Sequence, residues 1–120
     1  METSNLMTWA PFSDEALSQA KSQNKPVIID FSADWCLACT ELDKLTYSDK
    51  SVIEKSKGFV LIKVDASKIT DEIKTLQKRY EVVGLPTVIF IDGSGVVKKD
   101  LTLTGFEEPA NFLTRMSKAF

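Results

Sequence analysis

Apolar and polar positions along this chain follow two different periods. Three short, almost continuous apolar runs stand out: Val27-Ile28-Ile29-Asp30-Phe31, Phe59-Val60-Leu61-Ile62-Lys63-Val64-Asp65 and Thr87-Val88-Ile89-Phe90-Ile91. Runs of this length, rich in β-branched residues, read as strands buried on both faces. The stretches between them carry apolar residues at helical spacing. Ser13 is a candidate N-cap followed by Asp14 and Glu15, and Phe12 and Leu17 take the two positions of a hydrophobic staple. Asn24-Lys25-Pro26 ends that helix and launches the first apolar run. A second helix is expected from Cys36 to about Tyr47, and Ser48-Asp49 caps a short one over 50–57. A further helix is expected over 70–80, with Ile73, Leu76 and Tyr80 on one stripe. Gly84-Leu85-Pro86 breaks the chain before the third run, and Asp92-Gly93-Ser94-Gly95 predicts a hairpin into a last strand over 96–104. An amphipathic helix over 108–118 closes the chain. The order α-β-α-β-α-β-β-α, mixing crossovers with one hairpin, predicts an α/β fold with a central mixed sheet flanked by helices on both faces.

Composition narrows this picture without changing it. The 120 residues predict a single domain, 1–120, with 1–7 expected to be flexible. A net charge of −2 argues against a nucleic-acid partner. No apolar run approaches the roughly 20 residues of a membrane span, so no membrane contact is expected of this segment itself. Residues 1–8 lack the basic and apolar regions of a signal peptide, which leaves a cytosolic protein or a domain of a longer exported or membrane protein. There is no histidine and there are two cysteines. That excludes a structural zinc site, which wants about four ligands, and Cys–His nucleophilic catalysis. Thr40 after Cys39 excludes haem attachment of the C-x-x-C-H type. Neither a resident metal nor a cofactor is expected.

The two cysteines lie in Trp35-Cys36-Leu37-Ala38-Cys39, directly after the first apolar run. Two thiols at this spacing at a strand-to-helix junction can close into a disulfide and reopen, as thiol–disulfide exchange requires. At the first turn of the helix the sulfur of Cys36 meets unpaired N–H groups and the positive end of the helix dipole, both of which favour a thiolate. Cys39, one turn on, is expected to be buried. Cys36 is then the exposed attacking sulfur and Cys39 the resolving one.

A projection at about 100° per residue puts Ala38, Leu42 and Leu45 on a core face, and Cys36, Cys39, Thr40, Asp43 and Tyr47 on the other. Asp43 thus stacks one turn beyond Cys39. Asp30, an acid inside an apolar strand, is costly without a role or partner. Trp35 and Tyr47 read on their own as packing residues. From Asp30 to Asp43 there are four acids and no Lys or Arg, so the carboxylates are expected to offset much of the dipole's effect on Cys36. With no cation between the sulfurs, the pair is expected to act as a reductant, nearer about −270 mV than about −120 mV.

Residues 30–39 together with Gly84-Leu85-Pro86-Thr87 resemble the two landmarks of the thioredoxin superfamily. More narrowly, Ala33-Asp34-Trp35-Cys36, Ala38-Cys39 and Glu41, then Thr46-Tyr47-Ser48-Asp49 and Thr104-Gly105-Phe106, resemble the C-terminal periplasmic domain of the DsbD family of thiol:disulfide interchange proteins. The resemblance implies a thioredoxin fold and a dithiol–disulfide oxidoreductase without a cofactor. It implies transient mixed disulfides with other thiol/disulfide proteins, a monomer, and a periplasmic location as part of a membrane protein. By the same resemblance Asp30 handles a proton for the resolving cysteine, Asp43 modulates the active-site thiol, and Pro86 is cis. Leu85 then offers its backbone to an extended partner segment, and Trp35, Leu85, Pro86 and Gly105 form the docking patch. Thr40 and Asp43 depart from the basic residue and the glutamate usual at those positions. Three rivals stand beside this reading: a free-standing cytosolic thioredoxin, a binding module whose cysteines hold a soft metal such as Cu(I), and an oxidase or isomerase, which the redox potential distinguishes.

Overall fold

The computed structural model describes residues 6–120. Five strands, β1 (Ala10–Pro11), β2 (Val27–Ser32), β3 (Val60–Asp65), β4 (Thr87–Ile91) and β5 (Leu103–Thr104), form one sheet in the order β1-β3-β2-β4-β5. The three apolar runs supply its long members. β3 lies parallel to β2 and β1, while β4 is antiparallel to β2 and β5, giving the mixed sheet expected. Helices α1 (Asp14–Ser22), α2 (Leu37–Glu41), α3 (Lys50–Ser56), α4 (Asp71–Arg79) and α5 (Pro109–Ser117) cover both faces. Four begin at side-chain caps, with Ser13, Cys36, Asp49 and Thr70 accepting from backbone N–H groups of their first turns.

Side chains alternate across β2, so each face receives every second residue. Val27, Ile29 and Phe31 join Ala20 of α1, Leu76 of α4, Ile62, Val64, Ile89 and Ile91 in one core cluster. Ile28 joins Val52, Ile53, Val88, Phe90, Phe112 and Met116 in the other, which α3 and α5 close. Asp30 shares the side of Ile28.

Three expectations need correction. The second helix is α-helical only over Leu37–Glu41; Leu42–Thr46 is a π turn, closed by the Tyr47 N–H donating to the Leu42 carbonyl at 2.8 Å. The wider turn rotates the residues beyond it: Leu45, expected in the core, is 57% exposed, while Thr46 and Tyr47 are buried. Thr46 is fixed there by its hydroxyl, which donates to the Glu107 carbonyl. The strand expected over 96–104 is broken. After a single bridge at Val97, a 3₁₀ turn over Lys99–Leu101 lifts the polar residues off the sheet and turns Leu101 inward, before β5 resumes beside Thr87 and Val88. β1 was not foreseen, because two residues give no period to read; its Pro11 sits at the sheet edge, where a missing N–H costs least. Of the stretch expected to be flexible, residues 1–5 lie outside the described residues, and Met7 is packed into the second cluster.

Candidate active site

The site begins where β2 leaves the sheet. Ala33-Asp34-Trp35 form a tight connection, with the Cys36 N–H donating to the Ala33 carbonyl at 3.2 Å. Ser67, just past β3, anchors this loop: its hydroxyl accepts from the Asp34 N–H at 2.8 Å, and its carbonyl accepts from the Trp35 indole N–H at 3.2 Å. Ser67 is itself held by Asp65, whose carboxylate accepts from its N–H and its hydroxyl and is kept below the usual carboxylate range by those bonds. Neither Ser67 nor Asp65 was foreseen, since nothing in a lone Asp-Ala-Ser reports a contact made across the fold. Trp35, read on its own as packing, is 66% exposed.

Cys36 is the N-cap of α2 and is joined to Cys39 by a disulfide, with Cα atoms 5.3 Å apart. The Cys39 N–H points at Cys36 Sγ at 3.2 Å. When the bridge opens, that donor and the start of the helix lie where negative charge forms on Cys36, which is what exchange chemistry needs. The expectation of an exposed Cys36 is corrected in this oxidised form. Cys36 is 8% exposed against 4% for Cys39, because Ala33 and Leu85 pack against the bridge. The open surface belongs to its neighbours Trp35 and Leu37.

Leu85-Pro86 is a cis peptide, as the resemblance implied. Among the described residues the Leu85 N–H and carbonyl find no hydrogen-bond partner in the chain, so both remain available to another strand. Gly105 joins this edge: its N–H donates to the Pro86 carbonyl at 3.2 Å, and its φ of +106° is a conformation that side chains other than glycine's resist. Thus Trp35, Leu85, Pro86 and Gly105 fall into two linked edges around the disulfide.

The two acids take different positions. Asp30 is 2% exposed; its Oδ2 accepts from the Tyr47 hydroxyl at 2.7 Å, and its Oδ1 has no hydrogen-bond partner among the described residues. Burial pushes its pKa up to about 6, against the opposing pull of the Lys63 charge and the Tyr47 hydrogen bond. Asp43 lies at the surface, where its Oδ1 meets Lys63 Nζ at 2.8 Å. Lys63 stands opposite Asp30 in the β2–β3 register, and its Nζ lies 5.0 Å from the Trp9 ring centre and 5.6 Å from that of Tyr47. The carboxylate-only surroundings expected from residues 30–43 are therefore corrected: the sheet brings in a cation from β3 that neutralises Asp43 and moderates Asp30. Tyr47, read as packing, is a hydrogen-bond donor to the buried acid. Its signal was present in the sequence as a phenol on the same projected face as Asp43, but no spacing rule pairs it with Asp30.

Among the described residues no three potential metal ligands come together, and no helix is long and apolar enough to cross a membrane. The arrangement can do dithiol–disulfide chemistry: a bridge that opens onto a helix start, a free strand edge beside it, and a buried carboxyl in the strand that leads to it.

Known proteins share this plan. The thiol:disulfide interchange protein DsbD of Klebsiella pneumoniae is 42% identical over 99 residues, covering 82% of this chain and 16% of the relative. The chain thus spans about a sixth of the length of the curated relatives it matches. The reduced form of the DsbD C-terminal domain of Neisseria meningitidis superimposes with a TM-score of 0.73 at 29% identity, covering 89% of this chain and 93% of that one. A thioredoxin from Thermus thermophilus gives 0.76 at 28% identity, covering 95% and 86%. The family profile described as thioredoxin-like matches residues 8–93. With the fold, the cis-proline edge and the bridged cysteines in agreement, this chain belongs to the thioredoxin-like family.

Proposed function

We propose that this protein is a thiol:disulfide oxidoreductase that exchanges its Cys36–Cys39 dithiol and disulfide with other proteins, in the reducing direction, as the C-terminal domain of DsbD-type proteins does. The observation that carries the reading is the bridge at a helix N-cap, directly beside the unpaired backbone of Leu85. The chain supplies every group the exchange uses, so no cofactor or metal is invoked beyond the disulfide itself.

In the donating half-reaction Cys36, as thiolate, attacks a partner disulfide. One partner sulfur leaves as a thiolate and a Cys36–partner disulfide forms. Cys39 then gives its proton to Asp30, directly or through a water, and its sulfur attacks Cys36 Sγ. The Cys36–Cys39 bond forms, the bond to the partner breaks, and the partner's second sulfur leaves with the electron pair and takes a proton from solvent. A partner segment pairs with Leu85 as a short extra strand, while Trp35 and Gly105 flank it. Such a contact is small and transient, as an electron carrier that must release its partner needs. The protein works as a monomer, and the relatives' domain plan favours the periplasm.

The likeness to a free-standing thioredoxin supports a second reading, with the same chemistry and cytosolic partners. Replacing Cys39 by alanine stalls the mixed disulfide, and capture from cell extract then names the partner. A trapped membrane-protein domain favours the first reading and a cytosolic reductase or its clients the second. Trapping by Cys36→Ala and not by Cys39→Ala would reverse the roles of attacker and resolver. Stoichiometric, chelation-resistant metal in the reduced protein would favour the soft-metal reading instead.

A further inference from the structure

Asp30 is buried with its two oxygens in unlike states. Oδ2 is held by the Tyr47 hydroxyl at 2.7 Å, and Oδ1 meets no donor among the described residues of the chain. A buried acceptor left bare is costly unless something arrives to satisfy it. Resting on the reading that Asp30 takes the proton of Cys39, we propose that Tyr47 is a positioning residue: it fixes the Asp30 carboxyl by Oδ2 and so assigns Oδ1 as the oxygen that receives and returns the proton.

The surroundings leave Tyr47 little freedom to do anything else. Its ring is held at 5.2 Å from that of Trp9 and 5.6 Å from that of Phe112, with Lys63 Nζ over its face. The π turn of residues 42–46 delivers it, since the bond closing that turn is made by the Tyr47 N–H itself. Burial and the nearby Asp30 raise its pKa well above that of a free phenol, so it remains a donor across the working pH range. A phenol has one proton to give, and it is committed to Oδ2. The charges facing Asp30 are Lys63 from β3 and Asp43 from the π turn; the residue opposite on β4, Val88, and Phe112 on α5 are apolar.

The proton balance is simple. The S–H bond of Cys39 breaks, an O–H bond forms at Oδ1, and the sulfur's electron pair makes the new bond to Cys36 Sγ. Asp30 then returns the proton to solvent. Tyr47 keeps its own proton throughout and its bond to Oδ2 strengthens whenever Asp30 is ionised. Removing that bond therefore makes the ionised, proton-accepting form harder to reach.

The test is Tyr47→Phe, which keeps the ring and deletes the donor. In the oxidised protein, the carboxyl ¹³C titration of Asp30 should move up from about 6 by about one pH unit. With Ellman's reagent on the reduced protein, the second release of thionitrobenzoate reports resolution by Cys39, and its half-maximal pH should rise by the same amount. An unchanged or lowered midpoint in both overturns the proposal. Asp30→Asn separates the two layers. If it leaves the resolution profile in place, Asp30 is not the base and both readings fall. If it removes the acid limb while Tyr47→Phe leaves the limb unmoved, Tyr47 only packs. A measurement on the unaltered protein guards against a folding defect: the Tyr47 ζ-carbon should step at the Asp30 midpoint, and the absence of a step overturns the proposal.

Discussion

Asp30 and Phe31 are neighbours in the central strand β2, both shut away from solvent, and they face opposite worlds. Phe31 meets an aliphatic and aromatic layer between the sheet and helices α1 and α4, with no buried charge in it. Asp30 meets the Tyr47 hydroxyl at the end of the π turn and the charge of Lys63 from β3. The difference locates function by cost. One face is closed by apolar packing. The other gives up stability to keep an ionisable group in the strand that leads to the disulfide, and burial without full pairing is a cost that packing alone does not explain.

Substitution on the apolar face gives the largest change in stability. Phe31→Ala should lower the unfolding free energy by about 3–5 kcal/mol in denaturant titrations, while exchange activity per folded molecule stays near its original value. Loss of activity out of proportion to loss of fold would mean that the two faces are not independent.

Asp30→Asn should do the opposite. In the folded protein Asp30 holds its proton up to about pH 6, whereas an unfolded aspartate releases it near 3.8. The folded state therefore binds the extra proton between those values. Stability from this group is complete below the unfolded pKa, falls as pH rises through the folded one, and is flat above it. At pH 7 the substitution should stabilise the protein by up to about 3 kcal/mol and slow resolution by Cys39. The stability difference between the two proteins should vanish as pH falls toward 4, and chemical unfolding at several pH values reads it directly. A constant difference across that window would show that burial does not raise the Asp30 pKa above its unfolded value.

Smaller effects test the moderating charge. Lys63→Met removes the cation that pulls the Asp30 pKa down, so the Asp30 carboxyl titration should move above about 6. Asp43→Asn should move it the other way, since Asp43 opposes ionisation of Asp30 and also occupies Lys63. It should cost less than about 1 kcal/mol of stability, because the Asp43 carboxylate of that pair is half-exposed to solvent. Shifts of the same sign in both variants would break the assignment of Lys63 and Asp43 to opposite sides of the balance.

The sequence was informative where a local period or spacing carried the structure. β2, β4 and the caps at Ser13 and Asp49 arise from runs and cap residues that need no distant partner. The cysteine pair and the Gly84-Leu85-Pro86 break were legible for the same reason. What could not be read there depends on contacts between distant segments. Helical projection assumes one pitch, so the π turn at Leu42 displaced Leu45 from the core and brought Tyr47 onto Asp30. A count of charges along residues 30–43 does not include Lys63, which only the parallel register of β3 places beside Asp30. The anchoring of Trp35 by Ser67 likewise spans two strands.

The most direct test of the account is an equilibrium redox titration of the Cys36–Cys39 pair against a dithiol buffer, read by thiol alkylation. One reversible two-electron transition is expected, nearer about −270 mV than about −120 mV. A transition at the oxidising end, or a bridge that does not open and close reversibly, would contradict it.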